Sequence, residues 1–248
     1  MAAEKARPAF YALRPGGWRD LVTLLHPPYT LWHLSYVAIG AAAAPHIYAG
    51  RLAAALGAFF LAVGVAAHSL DELHGRPLGT QLSRRALVSL AAVGLGGALA
   101  IGVAGSIVVS ATLVPLVAVG GFMVLAYNLE LFGGRLHTDF WFAAAWGAFP
   151  ALTGWWSNAL GVDSVVQGLA AAAAILACFW LSNAQRRLST PARELRRRTA
   201  SVSGEHRLTD GTTRHLDIVA LEAPLDGALK ALSIAVPLLA IAAAAIRL

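Results

Sequence analysis

The chain has 248 residues, of which 58% are hydrophobic and only 13% are charged, with a mean hydropathy of +0.64. A soluble domain of this length is about a quarter charged, so the composition excludes an ordinary soluble fold. The net charge of +6 is typical of basic loops that face the cytoplasm and attract anionic lipid, and we expect membrane lipids, with no nucleic acid, as partners.

Continuous apolar segments predict membrane-spanning helices. About 20 apolar residues cross ~30 Å of hydrocarbon as a helix, whereas a membrane barrel needs short alternating strands. The predicted spans are 31–49, 52–67, 86–106, 109–127, 140–157, 164–182 and 229–247. The second is short, so its helix is expected to continue past His68. The predicted fold class is all-α, a polytopic membrane helix bundle of about seven transmembrane helices.

The polar segments divide the chain into a basic cytoplasmic lead-in, 1–30, and a transmembrane helical domain, 31–248. Three polar loops at 68–85, 128–139 and 183–228 are expected on the side of the lead-in. All but two of the 19 lysines and arginines lie on this side, the exceptions being Arg51 and Arg247. Basic loops stay in the cytoplasm, so we expect an integral protein of a prokaryotic plasma membrane with a cytoplasmic N-terminus.

The first loop combines carboxylates with an imidazole and an arginine. If the second helix continues, His68, Asp71 and Glu72 lie at i, i+3 and i+4 on one face, and the Gly-Arg-Pro sequence at 75–77 ends the helix. With Arg76, these residues could hold a divalent cation and a phosphate group, since Mg²⁺ binds through one or two carboxylates plus substrate phosphates. A solvated helix end explains the same residues equally well.

The second loop again places polar chemistry at a membrane boundary, with Tyr127, Glu130, Arg135, His137 and Asp139. Tyr127 is also typical of an aromatic belt, and Asp139 of a helix cap.

The third loop is almost entirely basic. Asn183, Arg186 and Arg187 open it, and it contains eight arginines in all. Guanidinium forks match phosphate oxygens, although a positive-inside signal accounts for the same charges. A small hairpin is predicted around Asp210-Gly211.

The order of these loops, after spans two, four and six, resembles the UbiA superfamily of membrane prenyltransferases. The segment from Asp71 to Arg84 is similar to the first aspartate-rich motif of that superfamily and the Arg-Pro-Leu stretch after it. Residues 127–135, followed by Trp146–Gly154, resemble its tyrosine-plus-basic motif and the Gly-x-x-Pro helix that follows. The resemblance covers about residues 25–200. The chain departs from the pattern in having about seven spans instead of nine and a basic third loop instead of a second acidic motif.

The resemblance implies helices around a central cavity, with an isoprenoid diphosphate held through Mg²⁺ at the cytoplasmic mouth. The prenyl group would pass to a lipophilic acceptor or cyclise. By position, His68, Asp71 and Glu72 would be metal ligands, and Asp71, Glu72 and Tyr127 would be catalytic. The substrate-binding residues would be Arg76, Arg135, Asn183, Arg186 and Arg187. Aromatic residues expected to line the cavity are Phe59, Phe60, Trp141, Trp146 and Trp180.

Two other functions compete with this hypothesis. Imidazole suits Fe and Zn better than Mg, so the histidines and acids of the first two loops could form a transition-metal site; its members would be His68, Glu72, His74, Glu130, His137 and Asp139. Alternatively, the protein is a non-catalytic lipid-binding member of the fold, in which Asp71 and Glu72 are dispensable.

Overall fold

Helices make up most of residues 8–247, which are the residues that the computed structural model describes. Lys5 and Arg7 of the basic lead-in therefore lie outside the described residues. The helices are α1 (Trp18–Leu24), α2 (Pro27–Ala42), α3 (Ala49–Leu73), α4 (Arg84–Val108), α5 (Ala111–Asn128), α6 (139–159), α7 (Val165–Arg197) and α8 (Ile218–Ala245). Two short strands, β1 (Gly204–Arg207) and β2 (Thr213–Leu216), form a hairpin between α7 and α8.

Five of these helices, α3, α4, α5, α7 and α8, are long and apolar enough to cross a membrane. The prediction of a helical membrane protein is thereby confirmed. Each of the seven predicted spans coincides with a helix, but α2, which has only 16 residues, and α6 are not among the five.

The first predicted span, 31–49, is wrong at its end, because α2 stops at Ala42. Pro45 explains the early stop, since proline lacks an N–H and disfavours the helical conformation of the residue before it. The second span continues into the polar segment as predicted, and α3 ends at Leu73, just before Gly75 with its φ of +87°.

Two helices contain π-helical stretches, Phe60–Ala67 in α3 and Ala144–Ala148 in α6. Such stretches widen a helix locally and occur frequently at functional sites. Both border the candidate site described below.

Helices α2 and α6 cross at very close range through glycines. A Cβ atom added to Gly40 would lie 1.9 Å from the carbonyl oxygen of Ala151, and one added to Gly154 would lie 2.0 Å from that of Val37. Small residues let membrane helices approach until their backbones are in contact. The crossing therefore requires glycine at both positions.

The predicted third loop, 183–228, is divided into three structural parts. Helix α7 extends through Arg197, so Asn183, Arg186 and Arg187 lie on a helix; arginine is a good helix former, and positive charge is favourable at a helix C-terminus. The predicted hairpin follows and is confirmed, with Thr212 N donating to the Asp210 carboxylate at 2.8 Å. Helix α8 then begins after Asp217, whose side chain caps it.

Candidate functional site

A polar cavity of about 490 Å³ lies at one end of the bundle. Its wall combines the N-terminal residues 8–11 with the ends of α2, α3, α5, α6 and α7, so the three predicted loops do meet. We call this end of the bundle the basic face. Five arginines line the cavity against two acids, Asp71 and Glu130, and its volume lies within the usual range for small-molecule sites. The arginines are Arg186, Arg193, Arg196, Arg197 and Arg198.

Three of the five cavity arginines, Arg193, Arg197 and Arg198, have no acidic partner within residues 8–247. Arg186 Nε lies 3.0 Å from the carboxylate of Asp139, and Arg196 pairs with two acids of α8. No carboxylate of the described residues lies within ion-pair distance of these three residues. Their guanidinium groups are available to a phosphate-bearing ligand, which they can bind through charge-assisted hydrogen bonds.

Two buried polar atoms of the cavity wall also lack a partner among the described residues, the hydroxyl of Tyr127 and Oε1 of Gln185. Tyr127 is 3% exposed and is held by its ring, which stacks on His137 at 4.4 Å and meets Trp146 edge-on at 5.6 Å. Leaving a buried polar group unpaired costs about 1–3 kcal/mol. A ligand that accepts a hydrogen bond from Tyr127 would remove this cost.

The predicted metal ligands separate in the structure. His68 and Asp71 line the cavity, whereas the fully buried Glu72 faces the loop after α3. Its carboxylate accepts hydrogen bonds from Leu78 N (2.9 Å), Thr80 N (2.8 Å) and Thr80 Oγ1 (2.9 Å). Glu72 thus holds this loop in place instead of facing a ligand.

The described side chains do not form a metal site on their own. Within residues 8–247, no three His, Cys, Asp or Glu side chains are grouped closely enough to hold a metal ion. Asp71 is one available carboxylate, and Glu130 is exposed at the cavity rim. The residues present therefore do not form a complete Mg²⁺ site without oxygen atoms from a ligand.

Of the predicted substrate-binding residues, Arg186 lines the cavity and the other four do not. Arg76 turns back onto its own loop and donates to two backbone carbonyl groups at 3.1 and 2.6 Å. Arg187 donates to the side chain of Asn183 at 2.9 Å, and Arg135 is exposed. The other arginines of the cavity lie about two to three helical turns beyond Arg186; they are Arg193, Arg196, Arg197 and Arg198.

An aromatic wall of the cavity was not predicted. Tyr11 and His26 share a hydrogen bond between the phenol oxygen and Nδ1, and the His26 ring stacks on His68 at 4.0 Å. Burial raises the pKa of Tyr11 well above its ordinary value. Burial, reinforced by His68 and two nearby arginines, lowers the pKa of His26, which is therefore neutral at pH 7.

His33 was also missed, although a signal for it existed. It lies inside the first predicted span, and an ionisable residue within a membrane helix is a functional candidate by default. In the structure it is 4% exposed, lines the cavity, and its Nδ1 lies 2.8 Å from the carbonyl oxygen of Trp146.

An apolar pocket of about 140 Å³ adjoins the polar cavity, between α3, α4, α5 and α6. Val63 and Trp146 line both spaces, and each lies in a π-helical stretch. Of the predicted aromatic residues, Phe59 and Trp146 line the apolar pocket; Phe60, Trp141 and Trp180 line neither space. The arrangement suits an amphiphile with an anionic head and an apolar chain.

Comparisons with protein-family models, with curated proteins and with solved structures gave no match. The cavity and the residues that line it therefore carry the evidence for function.

Proposed function

We propose that the protein is a membrane enzyme, similar to the UbiA superfamily, that acts on a polyprenyl or terpenyl diphosphate by transfer or cyclisation. One observation carries the proposal: Arg193 and Arg197, which lack acidic partners among the described residues, lie in a polar cavity that adjoins an apolar pocket. A diphosphate head matches the arginine-lined cavity, and a prenyl chain matches the apolar pocket. The proposed location is the cytoplasmic face of a prokaryotic plasma membrane.

In this proposal the diphosphate lies between the arginines of α7 and the hydroxyl of Tyr127. The allylic C–O bond breaks and its electron pair stays on the diphosphate oxygen. The guanidinium groups that line the cavity stabilise the developing negative charge. The allylic cation lies near Trp146 and Phe142, whose ring faces attract cations, and it is captured by a lipophilic acceptor or by one of its own double bonds.

Magnesium remains a prediction that follows from the resemblance. Because Glu72 is occupied by its loop, Asp71 is the half-buried carboxylate left for a cation in the cavity. In this proposal the arginines neutralise most of the negative charge of the diphosphate. Repeating each assay with EDTA measures whether magnesium is required.

A non-catalytic lipid-binding protein is the second candidate, because the same cavity and pocket suit a phospholipid. It predicts binding without release of pyrophosphate, and full function after Asp71→Ala and Glu72→Ala. The transition-metal alternative has no support from the described residues, since they contain no group of three suitable ligands.

The test compares binding of geranyl, farnesyl and geranylgeranyl diphosphate to purified protein. Since hydrogen bonds to charged groups contribute about 1.5–3 kcal/mol each, Arg193→Gln and Arg197→Gln should each weaken binding by roughly ten-fold or more. The matched control is Arg85→Gln, an exposed arginine at the start of α4 that does not line the cavity. Its affinity should equal that of the wild type.

Pyrophosphate release is then measured with a mixture of membrane lipids and aromatic acceptors. The proposal fails if the wild type binds a prenyl diphosphate no more tightly than the matching prenyl alcohol, or if Arg85→Gln weakens binding as much as Arg193→Gln. Tight binding without pyrophosphate release would favour the lipid-binding candidate.

A further inference from the structure

Three histidines of the cavity wall share one hydrogen-bond arrangement, in which Nδ1 contacts a backbone carbonyl oxygen. The pairs are His33 with Trp146 (2.8 Å), His68 with Gly64 (3.2 Å) and His137 with Tyr127 (3.3 Å). A carbonyl oxygen can only accept, so Nδ1 carries the proton in each neutral ring and Nε2 does not. Each ring therefore presents Nε2 as a proton acceptor.

His33 contacts the junction between the polar cavity and the apolar pocket through its hydrogen bond to the Trp146 carbonyl oxygen. Its hydrogen-bond partner, Trp146, lines both spaces. The His33 ring lines the polar cavity, and its Nε2 makes no hydrogen bond to any of residues 8–247. In an amphiphile that fills both spaces, the atom that joins the polar head to the apolar chain lies at this junction.

The other two histidines are each stacked on another ring. His68 is more than one helical turn beyond Val63 on α3, and its ring is covered by His26 at 4.0 Å. His137 is stacked on the ring of Tyr127 at 4.4 Å.

We propose that Nε2 of His33 is the base that accepts the proton released in the reaction, an inference that rests on the proposed function. The C–O bond of the prenyl diphosphate breaks, and its electron pair leaves with the diphosphate. The cation forms a bond to the acceptor or to its own double bond, and the resulting cation loses a proton to Nε2. The imidazolium keeps its Nδ1–H bond to Trp146 and passes the new proton to the departing diphosphate.

The test is His33→Asn. The asparagine amide nitrogen occupies a position close to that of Nδ1 and can still donate to Trp146, but no proton acceptor replaces Nε2. We expect kcat to fall by about 100-fold or more, as for loss of a general base, while the affinity for prenyl diphosphate changes by less than about two-fold. The matched control is His46→Asn, an exposed histidine in the turn after α2 at the opposite end of the bundle, which should keep wild-type kcat.

The outcomes separate the two proposals. A wild type that releases no pyrophosphate overturns the proposed function and this inference together. An active wild type with an equally active His33→Asn variant overturns the inference alone and makes His33 a structural link between α2 and α6. If His33→Asn loses ligand binding, His33→Ala is assayed with added imidazole: recovery of turnover supports the inference, and failure to recover overturns it.

Discussion

At the scale of single residues, stability and binding make opposite demands on Tyr127. Its ring is buried and well packed, whereas its hydroxyl has no partner among the described residues. If the residue at position 127 served packing alone, phenylalanine would give a more stable fold, because an unpaired buried hydroxyl is unfavourable. The hydroxyl is consistent with a role that appears only when the cavity is filled.

Tyr127→Phe tests this conflict directly. Removing an unpaired hydroxyl should leave the free energy of unfolding unchanged or raise it by about 1 kcal/mol. Affinity for a prenyl diphosphate should fall by roughly ten-fold or more, the value of one hydrogen bond to a charged group. Thermal unfolding in detergent and ligand titration measure the two effects; a variant that loses stability but binds normally would contradict the role given to the hydroxyl.

Asp71 and Glu72 show that residue type alone does not predict which carboxylates belong to the site. Asp71 and Glu72 have nearly the same chemistry and similar positions in the sequence, yet Asp71 lines the cavity and Glu72 binds the loop at Leu78 and Thr80. Asp20 plays a similar part, accepting from Gly16 N at 2.9 Å and Gln81 N at 3.0 Å. Backbone N–H groups that must be satisfied decide which acids are free, and their positions depend on the folded loop.

At the scale of elements, the glycine contacts between helices determine where the cavity wall stands. Gly40 and Gly154 bring α2 against α6, which places His33 beside Trp146. A second contact, at Gly147, brings α6 against α7, where an added Cβ would lie 2.5 Å from the carbonyl oxygen of Cys178. The position of the site thus depends on residues that have no side chain.

Gly154→Ala should therefore destabilise the fold strongly. The new Cβ would meet the Val37 carbonyl oxygen at 2.0 Å, and separating two packed backbones costs more than repacking flexible side chains, so we expect a loss of about 3 kcal/mol. Gly96→Ala in α4 is the matched control, because nothing lies within 4 Å of its added Cβ and alanine is the better helix former. Equal melting temperatures of the two variants would disprove the close contact.

At the scale of the whole molecule, the end of the bundle that carries most of the basic residues also contains the polar cavity. The arginine-rich end of α7, the N-terminal residues from Pro8 onward and the loop after α3 meet at the basic face. At the other end, Arg51 donates to the Ser157 carbonyl oxygen and its guanidinium lies 4.0 Å from the ring centroid of Tyr48. Basic residues favour the cytoplasmic side, so the cavity is expected to open to the cytoplasm.

Cysteine labelling tests this orientation. The single cysteine, Cys178, is fully buried, so the wild type should not react with a membrane-impermeant maleimide and serves as the background. His206→Cys, on the exposed hairpin, should be labelled only in lysed cells, whereas Asp163→Cys, in the exposed turn before α7, should be labelled in intact cells. The reverse pattern would place the cavity on the outer side of the membrane.

The sequence by itself determined the membrane class, the approximate positions of the seven longest helices and the hairpin, because hydropathy, turn residues and proline act over a few neighbouring positions. It also identified His68, Asp71, Tyr127 and Arg186 as polar groups at one end of the bundle. Only the tertiary structure decided that His33, Arg193 and Arg197 face the same cavity and that Glu72 does not. The physical reason is that a cavity is defined by contacts between distant segments, here α2, α3 and α7, and no local pattern specifies which side chains those contacts leave unpaired.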